Sequence, residues 1–155
     1  MLAFTACDAA GTCLDRGGNW NPELGQCEPA PENPAPTAPV HGDWQVVAFE
    51  QPGVTALPPS EADAWIGTVA HFSDSLAVLG DDRCETPDYF PDTTTANRFL
   101  QDYRIAPSML GLGDTILFTR VRCGGDWISP AATLYHQGSD LLTVWDGTFF
   151  VLRRR

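Results

Sequence analysis

The stretch LLTVWDGTFFVL, residues 141–152, constrains this chain more than any other. Two apolar runs rich in β-branched and aromatic residues are separated only by Asp146 and Gly147. That residue pair accepts the left-handed backbone of a two-residue type I′ turn, so a tight antiparallel hairpin is expected. A hairpin alone is marginal in water, and strands this apolar require further strands or a helix to cover them.

The chain upstream supplies such partners. From His41 onward short strand-like runs alternate with turn residues: DWQVVAFE, with Trp44, Val46 and Ala48 on one face, then TVAHF, SLAVLG, TILFTRVRC and ATLYH. In TILFTRVRC, Ile116, Phe118 and Arg120 alternate against Leu117, Thr119 and Val121. Two short helices interrupt the pattern. One lies in PSEADAWIG, with Ser60 as N-cap, Asp63 at the third helical position and Gly67 as terminator; the other lies in TTTANRFLQDYR, capped by a Thr, with Phe99, Leu100 and Tyr103 turned inward. The polar segment carrying Cys84 reads as a loop. Seven or eight strands with two short helices imply a mainly β fold, a small antiparallel β-barrel or strongly curved sheet, over residues 41–155.

The first forty residues are a different material. Residues 1–28 hold three cysteines in a polar, Gly-rich stretch, and residues 29–40 form a linker in which Pro29, Pro31, Pro34, Pro36 and Pro39 favour an extended, semi-rigid chain. Five cysteines leave one over if the rest pair. Cys13 and Cys27 bracket a loop that a disulfide would stabilise by roughly 3 kcal/mol in the chain-entropy account. Cys84 and Cys123 are the natural second pair. The spacings supply no zinc-ligand cluster, and five free thiols in a cytosolic protein are the competing reading.

Nine Arg and no Lys stand against twenty acidic residues, a formal net charge of −11. Such a surface repels phosphate backbones, which excludes nucleic acid and leaves a basic protein, a cation, or solubility alone as the purpose of the acidity. No apolar run approaches the roughly 18 residues of a spanning helix.

Several stretches resemble known families. LAFTAC resembles the end of a bacterial lipoprotein signal, which implies lipidation of Cys7, attachment to a membrane only through that lipid, and a periplasmic or outer-membrane location in a Gram-negative bacterium. CLDRGGNWNPELGQCE is similar to a short module of small exported bacterial proteins through Cys13, Gly17, Gly18, Trp20 and Cys27, and implies a disulfide loop. The triplet Gly42-Asp43-Trp44 with the closing FFVLRRR resembles the lipocalin and calycin barrels, which implies that Trp44 packs beneath Arg153 in a cation–π contact. The region from GDWQVVAFE to GDDRCETPDYF is also similar to the META-type domains of bacterial envelope proteins, matched at Gly80, Cys84 and Tyr89.

Signals of catalysis are lacking. His41, His71 and His136 have no carboxylate or Cys at ligand spacing, and no GxSxG or phosphate-cradling Gly motif occurs. No enzyme activity, cofactor or metal is expected. Asp81 and Asp82, with Glu85, Asp88 and Asp92 behind them, form either a solvated acidic loop or an oxygen-rich Ca²⁺ site. Tyr89 and Phe90, stiffened by Pro87 and Pro91, either anchor a basic partner beside Asp81 and Asp82 or pack over the barrel mouth. The expectation is an exported, lipid-anchored, non-enzymatic binding protein, an inhibitor of a basic, lysozyme-like peptidoglycan hydrolase. The alternatives are a calycin-like carrier of a small apolar ligand and a structural envelope lipoprotein.

Overall fold

The computed structural model describes residues 19–21, 23, 25–28, 40–125 and 127–155. The chain divides into two units, Met1–Pro36 and Thr37–Arg155. In the first, β1 (Asn19–Asn21) and β2 (Gln26–Glu28) pair antiparallel, Trp20 opposite Cys27, around a turn in which Gly25 takes φ +60°. Cys27 is disulfide-bonded. Cys13, its expected partner, and Cys7, the expected lipid attachment point, lie outside the described residues, as does the linker except Val40. Val40 belongs to the core of the second unit, 3% exposed, and its carbonyl accepts the Trp44 indole N–H at 2.8 Å.

In the second unit nine strands form one antiparallel sheet: β3 (Gly42–Glu50), β4 (Val69–Phe72), β5 (Leu76–Leu79), β6 (Asp82–Glu85), β7 (Asp88–Thr95), β8 (Thr115–Arg122), β9 (Thr133–Gln137), β10 (Asp140–Trp145) and β11 (Thr148–Arg154). Their order is β6-β5-β4-β3-β11-β10-β9-β8-β7. The mainly β expectation holds, as a sheet curled into a half-barrel. The closing hairpin forms as its residues dictate, with Trp145 opposite Thr148, Asp146 at φ +49° and Gly147 at φ +80°. A side chain at 147 would collide with the Val54 carbonyl, because the loop before α1 (Pro59–Asp63) docks on this turn: Ala56 N–H and the Thr55 hydroxyl both donate to the Asp146 carbonyl.

The edges of the sheet explain why it does not close. Nine antiparallel strands leave the first and last running in the same direction, so β6 and β7 cannot be antiparallel partners. Only Thr86 and Pro87 join them, and Thr86 is held at φ +55°, a sparsely populated conformation for a β-branched residue. Residues 82–95 thus act as one bent strand that pairs with β5 in its first half and β8 in its second. The segment expected to be a loop is two strands, because its residues pair across the sheet despite poor intrinsic strand preference. Pro91 and the aspartates flanking it also blunt this edge against further pairing.

Two apolar clusters cover the two faces. Inside the curl lie Trp44, Val46, Ala70, Phe72, Leu79, Val121, Leu134, Phe150 and Leu152, joined by Ala62 of α1. Outside, α2 (Ala96–Tyr103) and the 3-10 turn Pro107–Leu110 cover β8–β11 through Phe99, Ile105, Leu110 and Leu112. Several local expectations change. Ala48 does not share the face of Trp44 and Val46: Val151 pairs with Ala48 and Leu152 with Val46, so Val47 is bulged out and both Val47 and Ala48 join the outer cluster. Helix α1 is capped by Pro58 without a side-chain hydrogen bond, because Pro59 already supplies a helical first position; Ser60 lies inside the helix. The Thr cap of α2 is Thr95, whose hydroxyl accepts from Arg98 N–H at 3.2 Å. Phe99 and Tyr103, one turn apart, face the sheet, whereas Leu100, a third of a turn round, is 43% exposed.

Arg154, rather than Arg153, lies over Trp44, its guanidinium carbon 4.4 Å from the ring centre. Register decides this: Trp44 pairs with Arg154, so those two share a face, while Arg153 points to the opposite one and meets Asp140 at 3.0 Å. Gly42 has φ +133°, and a side chain there would collide with the Arg154 guanidinium, which donates to the His41 carbonyl at 2.9 Å. The Gly-x-Trp spacing therefore has a local reason: Gly gives the arginine room, and Trp gives it a ring.

Candidate functional site

The connection from β8 to β9 decides what the concave side can hold. It leaves β8 at Cys123, which bonds Cys84 of β6 with Cα atoms 5.7 Å apart. Its 3-10 turn Pro130–Ala132 then packs against both β5 and β8, although five strands lie between those two in the sheet order. Ala131 is fully buried, the Pro130 carbonyl accepts the Thr143 hydroxyl, and the Ser129 hydroxyl donates to Asp82 Oδ2 at 2.9 Å. A strap of backbone thus lies across the curl. With Trp44, Phe72 and Phe150 behind it, all at most 2% exposed, side chains occupy the space where a carrier would hold an apolar ligand.

A cleft of about 420 Å³ lies where the strap meets the end of the half-barrel. Trp65 and Thr68, just after α1, form one wall, with Trp65 packed on Phe150 at 5.1 Å between ring centres. The two-residue turn Gly80–Asp81 and the first residue of β6, Asp82, form another; Ile128 and Pro130 of the strap and Trp145 of β10 complete it. Asp81 is exposed, Asp82 half-buried and fixed by Ser129, and Ile128 is 76% exposed. The lining combines two carboxylates with two partly buried indoles. Carboxylates attract a cation through charge, and indole faces attract one through the ring quadrupole.

The structure divides the residues expected to form one binding loop. Asp81 and Asp82 line the cleft, but Tyr89 and Phe90 do not. As successive strand residues they point to opposite faces. Tyr89 turns inward, donates to the Ser73 carbonyl at 2.9 Å and meets the His41 ring edge-on at 4.9 Å. Phe90 faces out, 46% exposed, with the Arg122 guanidinium 5.0 Å above its ring. Glu85, Asp88 and Asp92 are spread along the bent strand. The three histidines have partners that sequence distance concealed: His71 Nδ1 lies 2.7 Å from Asp43 Oδ1 across the β3–β4 pair, His41 lies 3.7 Å from Asp74, and the His136 ring lies 3.0 Å from the Thr119 hydroxyl. Burial lowers the His136 pKa; its partner Thr119 is 2% exposed, and the pair is partly buried.

Trp65, Ile128 and Trp145 were not singled out by sequence. Their apolar character marks them as core candidates, and only the tertiary arrangement leaves each partly open beside the aspartates.

All three tyrosines of the chain have raised pKa values, chiefly from burial: Tyr89 is pushed up to about 12, and Tyr103 and Tyr135 are raised as well. A phenol is neutral when protonated, so a folded-state value above the unfolded value of about 10 favours the fold below pH 10 and withdraws that support as pH rises through the folded pKa. Phenolate absorbance is therefore expected to show no tyrosine ionising at its ordinary pKa in the native state. Stability should fall between about pH 10 and 12 as the unfolded chain gains the ability to ionise. A tyrosine titrating near 10 with the fold intact contradicts this.

Compared with protein-family models, with curated proteins and with solved structures, the chain matches none.

Proposed function

We propose that this protein is an exported, lipid-anchored binding protein without catalytic activity, whose folded unit grips a basic protein of the peptidoglycan-hydrolase kind and blocks it. The observation that carries the reading is the cleft in which Asp81, Asp82, Trp65 and Trp145 converge beside the exposed Ile128. A lysine or arginine of a partner meets charge and indole faces there, while Ile128 supplies an apolar contact at the rim. The net charge of −11 adds long-range attraction for a cationic partner, an effect that speeds association and weakens with salt. The Cys84–Cys123 disulfide is compatible with export. Cys7 is the anchor in this proposal.

Calorimetric titration with a cationic lysozyme tests the grip. Binding is expected at low salt, and the paired substitution Asp81→Asn and Asp82→Asn should weaken it by roughly tenfold, about 1.4 kcal/mol. Trp145→Ala should weaken it further. Absence of binding at every salt concentration, or binding indifferent to all three substitutions, removes the proposal. Mass spectrometry of protein expressed with its native upstream sequence tests the anchor, since an unmodified Cys7 thiol would contradict it.

A further inference from the structure

We infer that a second, separate cleft on the convex side binds a small carboxylate, held by the Arg120 guanidinium and by a hydroxyl of the Tyr103–Tyr135 pair. The cleft, of about 330 Å³, lies between α2 and strands β7, β8 and β9. Its lining is polar where the rest of that face is apolar: Arg98, Asp102 and Tyr103 come from the helix, and Arg120, Thr133 and Tyr135 from the sheet.

Proton accounting shows that the cleft has donors to spare. The two phenol oxygens are 2.7 Å apart and bond to each other. Two hydroxyls bring two protons, and the mutual bond uses one. The accepting hydroxyl keeps its own, and no other described residue receives it. A phenol is protonated at neutral pH even at its ordinary pKa near 10, and burial raises both values further. Beside them Arg120 has no ion-pair partner among the described residues; it rests against the Phe118 ring, 5.7 Å from its centre, although the chain is rich in acids. Arg120 and Tyr135 are diagonal neighbours on the β8–β9 pair, since Arg120 pairs with Thr133 and Phe118 with Tyr135, and both line the same cleft.

Charge balance selects the ligand class. Arg98 and Asp102, one helical turn apart and 3.2 Å from nitrogen to oxygen, neutralise each other. Arg120 is then the one uncompensated charge in the lining, which matches a carboxylate and leaves half of a phosphate dianion unmatched. A carboxylate oxygen accepts both the guanidinium and the phenol proton, in bonds strengthened by charge and by partial exclusion of water.

The test is NMR titration of the full chain, following arginine side-chain and tyrosine ring signals, with acetate and separately with inorganic phosphate. Acetate is expected to shift the Arg120 and Tyr135 signals saturably and to bind more tightly than phosphate. Arg120→Gln, an exposed strand substitution, should weaken acetate about tenfold. Tyr103→Phe combined with Tyr135→Phe, which keeps both rings and removes both hydroxyls, should weaken it about threefold or more, whereas either change alone still leaves one phenol proton for the ligand. The Asp81→Asn and Asp82→Asn pair should leave acetate binding unchanged, which separates this site from the acidic cleft. Shifts that do not saturate, equal binding by Arg120→Gln or by the combined Tyr103→Phe and Tyr135→Phe variant, or tighter binding of phosphate would each overturn the inference.

Discussion

Trp44→Ala is expected to destabilise the folded unit by about 3–5 kcal/mol, measured as a shift in the denaturant midpoint at unchanged slope. The indole is 2% exposed, sits in the inner cluster, and carries two contacts an alanine cannot make. Its N–H satisfies the Val40 carbonyl, and its ring face lies under Arg154. The cavity left behind would open beneath Phe72 and Leu152, which are fully buried and already fixed by strand pairing, so the site has little freedom to collapse. The companion comparison separates the two arginines. Arg154→Ala should cost about 1 kcal/mol or more, because the cation–π contact and the bond to the His41 carbonyl go together. Arg153→Ala removes a two-point contact with Asp140, whose side chain is only 16% exposed, and should also destabilise, but independently of Trp44 because it acts on the other face. Combined with Trp44→Ala, the Arg154→Ala loss should shrink and the Arg153→Ala loss should stay the same, and the reverse pattern would contradict the register described above.

Removing the Cys84–Cys123 disulfide, by Cys84→Ser with Cys123→Ser, should have the second large effect. The bond closes a loop of sequence separation 39, and the chain-entropy account assigns about 4 kcal/mol to a loop of that length. The consequence is also local. This disulfide crosses the place where the sheet does not pair with itself, tying edge strand β6 to the end of β8 and to the start of the strap. Without it the strap is held by Ser129–Asp82, Thr143–Pro130 and the packing of Ala131. Denaturant unfolding of the double variant is expected to show the full loss, and hydrogen exchange to show it earliest at residues 127–132 and 82–85. An unchanged midpoint would mean that the strap and the bent strand hold the seam without the bond.

The hairpin at Asp146–Gly147 was legible because its turn chemistry and its alternation are local properties of the chain. The same holds for the Thr cap on α2, whereas the pairing of Cys84 with Cys123 was legible by elimination, as the two cysteines of the folded unit. The bent strand at residues 82–95 was not legible, since Asp, Pro and Thr become strand there only through partners supplied by β5 and β8. The bulge opposite Leu152 was hidden for a related reason: a single extra residue moves Ala48 to the other face while leaving the alternation in the sequence unbroken up to that point.

For the site, sequence order and spatial order diverged. Asp81 and Asp82 were visible as acids, yet their neighbours in the cleft come from residues 64–68, 128–130 and 145, while the adjacent Tyr89 and Phe90 are turned to opposite faces by the strand they occupy. Turn preference, periodicity and charge are written residue by residue, so the β-rich unit, its closing hairpin, its acidity and its cysteine count could be read from the chain before any fold was known. Which arginine meets Trp44, where the curl is strapped, and which side chains share a cleft were decided by the tertiary structure alone, because register and parity are properties of strand pairs that no single segment carries.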